Sequence, residues 1–128
     1  MPPPRLLTLQ AMGALCLARL LIAWVPLRMW RGSLGAPRES TSDARQVQFL
    51  AGRVERAAAR LPFATKCLPR AMALSWMLRR YRLEHAVVLA IRPAGQRTRD
   101  ETLHAWVETA QGIVLGDLPG PWHEVYKA

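Results

Sequence analysis

The spacing of apolar residues changes once along this chain, near residue 84, and that change narrows the fold to one class. Before it the pattern is helical. Between residues 43 and 61, Val47, Leu50, Val54, Ala57 or Ala58, and Leu61 recur every three or four positions, while Arg45, Arg53, Glu55 and Arg60 take the opposite face. Ser40, Thr41, Ser42 and Asp43 offer N-caps for this helix, and Pro62 stops it. A second helix is predicted over 67–81, with Pro69 in its first turn and Arg79, Arg80 and Arg82 at its C-terminal end. After the change the pattern is that of strands. HAVVLAIR at 85–92 is a β-branched run, and in TLHAWVET Leu103, Ala105 and Val107 alternate with His104, Trp106 and Glu108. Ala110-Gln111-Gly112 makes a turn into IVLG, Asp117 ends that strand, and Pro119-Gly120-Pro121 is expected to close the sheet. Helices followed by a small antiparallel sheet, packed on the helix that begins at Cys67, make the class α+β.

Residues 6–30 are apolar over a length that resembles a membrane span or signal peptide, but Gln10 and Arg19 interrupt the run and Pro26 breaks it. At 100° per residue Arg5, Thr8, Cys16 and Arg19 share one narrow stripe, and the rest of the circumference is apolar. Such a helix packs on the domain or a partner, lies at a membrane surface, or spans; retention as an associating helix is the expectation. Residues 32–43 read as a linker by composition. At 128 residues the chain is expected to form one compact domain, with the apolar helix and linker at 1–43 and the core at 44–128.

The formal net charge is +9, mostly from arginine, since Lys66 and Lys127 are the only lysines. That balance favours anionic partners such as an acidic peptide or an anionic membrane surface. No aromatic-rich RNA motif, zinc-finger spacing or helix-turn-helix pattern accompanies the charge, so nucleic acid is not expected. Of the two cysteines, Cys16 lies in the apolar helix and reads as a small buried hydrophobe. Cys67, between Lys66 and Arg70 at a helix start, has surroundings that stabilise a thiolate, and a free thiol fits a cytoplasmic setting.

Cys67, His104 and Asp117 are the three groups that thiol-based acyl chemistry requires, in the order helix start, strand, strand end. A cysteine attacks carbonyl carbon as thiolate, a histidine takes and returns the proton, and a carboxylate orients the imidazole. The peptide N–H of Cys67 is placed to donate to an oxyanion. No paired ligand spacing of the CxxC or HxxxH kind appears, so neither a metal nor another cofactor is expected.

From about Thr65 to Asp117 the chain resembles the transglutaminase-like superfamily. Within it, CLPRAMALSWMLRR followed by HAWVE and a strand ending in aspartate is similar to the leader peptidases of lasso-peptide biosynthesis, in particular the stand-alone protease half of a split maturation protein. The resemblance implies a transglutaminase-like or papain-like core that cuts the leader from a ribosomally made precursor peptide. Cys67 would be nucleophile, His104 general base and then acid, and Asp117 the orienting carboxylate. It also implies two protein partners: a small recognition-domain protein that holds the leader, and a lasso cyclase that joins the freed amine to an acidic side chain. Acyl transfer to an amine would use the same three residues, and a non-catalytic, membrane- or complex-associated scaffold that binds a peptide is the alternative of a different class.

Overall fold

The computed structural model describes residues 3–62, 66–91, 103–116 and 122–128. Helix α1, Pro4–Trp24, starts where Pro3 is extended and Pro4 occupies the first turn, a position at which a missing amide hydrogen costs nothing. It ends before Pro26; a short helix α2, Leu27–Trp30, and a 3-10 turn, Arg31–Ser33, follow. Leu7, Ala11, Leu15 and Ala18 form its buried edge, and Thr8, also buried, satisfies its hydroxyl by donating to the Pro4 carbonyl. Helix α3, Ala44–Arg60, is capped by Asp43, whose carboxylate accepts from the Gln46 amide at 3.2 Å. Its buried positions, Val47, Leu50, Ala51, Val54, Ala57 and Ala58, follow the predicted stripe.

Helix α4, Cys67–Arg80, is the centre of the molecule. Ala71 to Ser75, Met77 and Leu78 are all buried, because α1 and α3 cover it on one side and the sheet on the other. Its C-terminus closes by two reversed bonds, Arg82 N–H to the Arg79 carbonyl and Leu83 N–H to the Leu78 carbonyl, and Leu78 and Leu83 bury together. This turn needs a left-handed residue at its apex, usually glycine; here Arg82 takes it at φ 55°.

The sheet is antiparallel with strand order β3-β2-β1-β4, formed by β1 Ala86–Ile91, β2 Leu103–Thr109, β3 Gly112–Leu115 and β4 His123–Lys127. Val87, Leu89, Ala105, Val107 and Leu115 face the helices. Val88, Ala90 and Trp106 form a second, smaller cluster with Trp122 on the other face. The α+β architecture is as expected, and the sheet has a further strand that the sequence did not announce, β4, which pairs with β1; Pro119-Gly120-Pro121 lie outside the described residues.

Two further expectations are corrected. Cys16 is half-buried and not a core residue. Residues 32–43 are not a free linker. Leu34 and Gly35 are buried, and Thr41 bridges to Leu83. The Gly35 amide donates to Ser75 Oγ at 2.9 Å, and Trp76 Nε1 donates to Ser33 Oγ at 2.8 Å. Ser75 Oγ in turn lies 2.8 Å from His85 Nε2, while His85 Nδ1 lies 2.8 Å from the Leu83 carbonyl. A carbonyl only accepts, so Nδ1 carries the hydrogen, Nε2 accepts, and the Ser75 hydroxyl donates to it. Every hydrogen is then assigned, and the chain of bonds joins the 33–35 segment, α4 and the approach to β1.

Burial is the main cause holding the His85 imidazole below its ordinary value of 6.5; the bond to Leu83 opposes it and the Arg79 charge adds to it. The unfolded chain therefore binds a proton that the fold refuses. Stability should fall as pH drops below about 6.5 and level off below the depressed folded value. Melting temperatures across about pH 7.5 to 5 should show this slope in the wild type and a shallower one in His85→Gln. A second prediction concerns Arg82→Gly, which removes a strained left-handed side chain and loses only an exposed 3.6 Å pair with Glu39. It should leave stability unchanged or raise it by up to about 1 kcal/mol, read by denaturant titration.

Candidate active site

The connection from α4 to β1 is short, so the helix and the strand run in opposite directions. α4 is ~21 Å long at ~1.5 Å per residue, and β1 is ~20 Å at ~3.3 Å per residue. The N-terminus of α4 therefore lies toward the far end of β1, where Ile91 pairs with Leu103 on one side and His123 on the other. β3 leaves the sheet toward the same end, through Leu115 opposite Val107 and then Gly116. Helix start, the beginning of β2 and the exit of β3 share one end of the molecule.

Cys67 is the first residue of α4, half-buried, with Lys66 extended before it and providing no side-chain cap. Amides in a helix's first turn have no partner within the helix, and Pro69 removes one of them, so the Cys67 and Leu68 N–H groups mark the positive end of the helix dipole beside the sulfur. Arg70, three residues on, carries an ion pair with the neighbouring helix: its guanidinium pairs with Glu55 of α3 at 3.1 Å.

His104, second residue of β2, is buried. Its Nε2 lies 2.5 Å from the Gly116 carbonyl; since that oxygen only accepts, Nε2 carries the hydrogen, and Nδ1 of the neutral ring keeps a lone pair. The ring stacks on Trp122 at 5.0 Å between centroids, with Trp106 tilted against it at 6.0 Å. Strand alternation puts His104 on the Trp106 face, opposite Ala105 and Val107, which carry the helix contacts. α4 packs directly on β2, but on the Ala105 and Val107 face and not on the face that carries His104, and among the described residues no hydrogen bond joins the Cys67 and His104 side chains.

Gly116 makes the imidazole bond possible. It sits at φ 83°, and a Cβ there would meet the Ala105 carbonyl oxygen at 2.8 Å and Trp106 at 3.3 Å. Asp117 follows it directly in sequence and lies outside the described residues, as do Phe63, Ala64 and Thr65 ahead of Cys67. Sequence reasoning missed Trp122 and the role of Gly116. The signal for the glycine was its place after Ile113-Val114-Leu115 and directly before Asp117; nothing local marked Trp122.

Gly116→Ala should cost on the order of 1–3 kcal/mol and displace the carbonyl that holds His104. The ¹⁵N shifts of His104 should report the Nε2–H tautomer in the wild-type protein and a mixed tautomer in the variant.

No curated protein and no solved structure matches the chain at a significant level. A family model described as the transglutaminase-like superfamily matches residues 12–127. That span runs from the middle of α1 to the last residue of β4, and the mixed helical and antiparallel architecture is that of the superfamily's α+β core. Members of this superfamily are typically catalytic, through cysteine-protease or acyltransferase chemistry. With Cys67, His104 and the helix-on-sheet core all inside the matched span, the chain belongs to the transglutaminase-like superfamily.

Proposed function

We propose that this protein is a cysteine endopeptidase that removes the leader from a ribosomally made lasso-peptide precursor, with Cys67 as nucleophile, His104 as general base and acid, and Asp117 as the carboxylate that orients His104. The observation that carries the reading is the tethering of His104. Nε2 is held by the main chain at Gly116, directly before Asp117, whose carboxylate would take over that N–H in the working site, and Nδ1 is the nitrogen left to exchange a proton with Cys67. The sequences CLPRAMALSWMLRR and HAWVE supply the resemblance to leader peptidases, and the superfamily match agrees with it at the coarser level.

In this reading Nδ1 takes the thiol proton and the thiolate attacks the scissile carbonyl carbon, forming a C–S bond. The resulting oxyanion is met by the Cys67 amide at the positive end of α4. Collapse expels the amine of the core peptide, which receives the proton from His104, and leaves the leader as a thioester on Cys67. Water, deprotonated by Nδ1, then attacks the thioester and releases the leader carboxylate and the thiol. In this reading the thiol–imidazole hydrogen bond is made when substrate binds, since catalytic hydrogen bonds are often long or poorly aligned without it. The freed amine is the group that a separate cyclase would consume. Leader recognition is assigned to a partner protein, and the excess of arginine suits an acidic peptide.

Cys67→Ala should abolish cleavage when precursor and leader-binding partner are supplied and products are read by mass spectrometry. His104→Ala should cost at least about a thousand-fold and Asp117→Asn less, with the double change adding little, because the three act as a unit. Cys16→Ala and His123→Ala should stay active. Cleavage by Cys67→Ala would sink the proposal, and equal loss in His123→Ala would move the base to that residue. Transfer of the leader acyl group to an added amine in preference to water would reassign the enzyme as an acyltransferase.

A further inference from the structure

The outer side of α1 is apolar along its length and has no partner in the fold. Leu6, Leu9, Leu17, Leu20 and Trp24 are all exposed, Trp24 to 82%, and their spacing sets them on one stripe directly opposite the buried Leu7, Ala11, Leu15 and Ala18. The stripe is ~27 Å long, from ~18 residues at ~1.5 Å each. Along one edge of it lies a groove of 620 Å³ between α1 and α3, to which Arg5, Arg53, Arg56 and Arg60 contribute. Among the described residues no carboxylate pairs with these four guanidinium groups. Arg53 lies over the Phe49 ring at 5.1 Å, and its buried Nε has no acceptor.

We propose that this face docks the protein onto an anionic phospholipid surface, with α1 lying in the plane of the interface, its leucines and Trp24 entering the acyl boundary and the groove arginines meeting phosphate groups. An apolar stripe of this size is costly to leave in water, and a stripe bordered by cations is the arrangement that interfacial helices use. Spanning is a poorer account. Although the helix is long and apolar enough to cross a bilayer, crossing would pull Leu7, Ala11, Leu15 and Ala18 out of the core they share with α3 and α4. A second copy of the chain is disfavoured by charge, since a symmetric α1–α1 contact would bring two sets of unpaired arginines together in chains of net charge +9. The flanking cations call instead for a surface dense in negative charge.

The test is sedimentation of the full chain with vesicles of phosphatidylglycerol and of phosphatidylcholine. The protein should sediment with the first and not the second. Leu17→Gln with Leu20→Gln, and separately Arg56→Gln with Arg60→Gln, should each weaken binding on the order of ten-fold or more. Both double variants alter exposed positions, and unchanged melting temperatures verify their folds. Arg38→Gln with Lys127→Gln removes equal charge elsewhere and should bind nearly as well as wild type. Trp24 emission should shift to the blue on phosphatidylglycerol vesicles, a change that Trp24→Phe loses. The proposal is overturned by any of three results: no sedimentation with phosphatidylglycerol, equal loss in the control pair, or a concentration-dependent dimer that the leucine pair abolishes without vesicle binding.

Discussion

A helix buried along most of its length has only its ends to offer to other molecules. α4 is such a helix: α1 and α3 cover one side, β1 and β2 the other, and Ala71 to Ser75 have almost no exposed surface. Its C-terminus is consumed by the turn through Arg82 that buries Leu83 against Leu78. What remains is the N-terminus, where backbone amides are unpaired and the helix dipole is positive. Cys67 occupies that position. The packing that stabilises the domain is therefore also what fixes where the Cys67 sulfur sits.

Two of the three histidines are locked by a single kind of bond, with opposite results. The hydrogen of His85 is on Nδ1, given to the Leu83 carbonyl, and its other nitrogen is filled by the Ser75 hydroxyl. Both nitrogens are engaged, the pair is buried, and the ring serves as a brace between segments distant in sequence. In His104 the hydrogen is on Nε2, given to the Gly116 carbonyl. That leaves Nδ1 available, while Trp106 and Trp122 limit rotation of the ring. The difference between the two rings is a matter of which nitrogen a carbonyl holds and whether the other has been used.

The helices and three strands were legible because their apolar spacing is set by what each buries: period 3.6 in α3, period 2 in β2. Asp43 was among the foreseen caps, since its carboxylate needs only the amide three residues on. β4 was not legible. As an edge strand, HEVYK buries little and follows Pro119-Gly120-Pro121, so neither alternation nor β-branched content announced it. The 32–43 segment has the composition of a linker because its bonds to α4 run largely through backbone and small side chains, which leave no periodic mark. Ser75 and His85 looked unrelated for the same reason: their contact depends on how the chain turns through Arg82. Cys67 at the start of α4 and His104 in β2 fall on the elements their neighbours predict, whereas the stacking of Trp122 on the His104 ring belongs to tertiary packing alone.

The division of α1 into an inner and an outer face has a consequence for biosynthesis. Its inner leucines are buried by α3 and α4, and α4 ends at Arg80, well after α1 itself ends at Trp24. At roughly 5–20 residues per second, several seconds separate the synthesis of the two helices. During that interval α1 is a nascent segment that is apolar on both sides and resembles a membrane insertion signal to any factor that samples it. Gln10 and Arg19, polar groups within that segment, weaken the resemblance during the seconds when it is most dangerous, and completion of α4 ends the exposure by withdrawing one whole side of the helix from view.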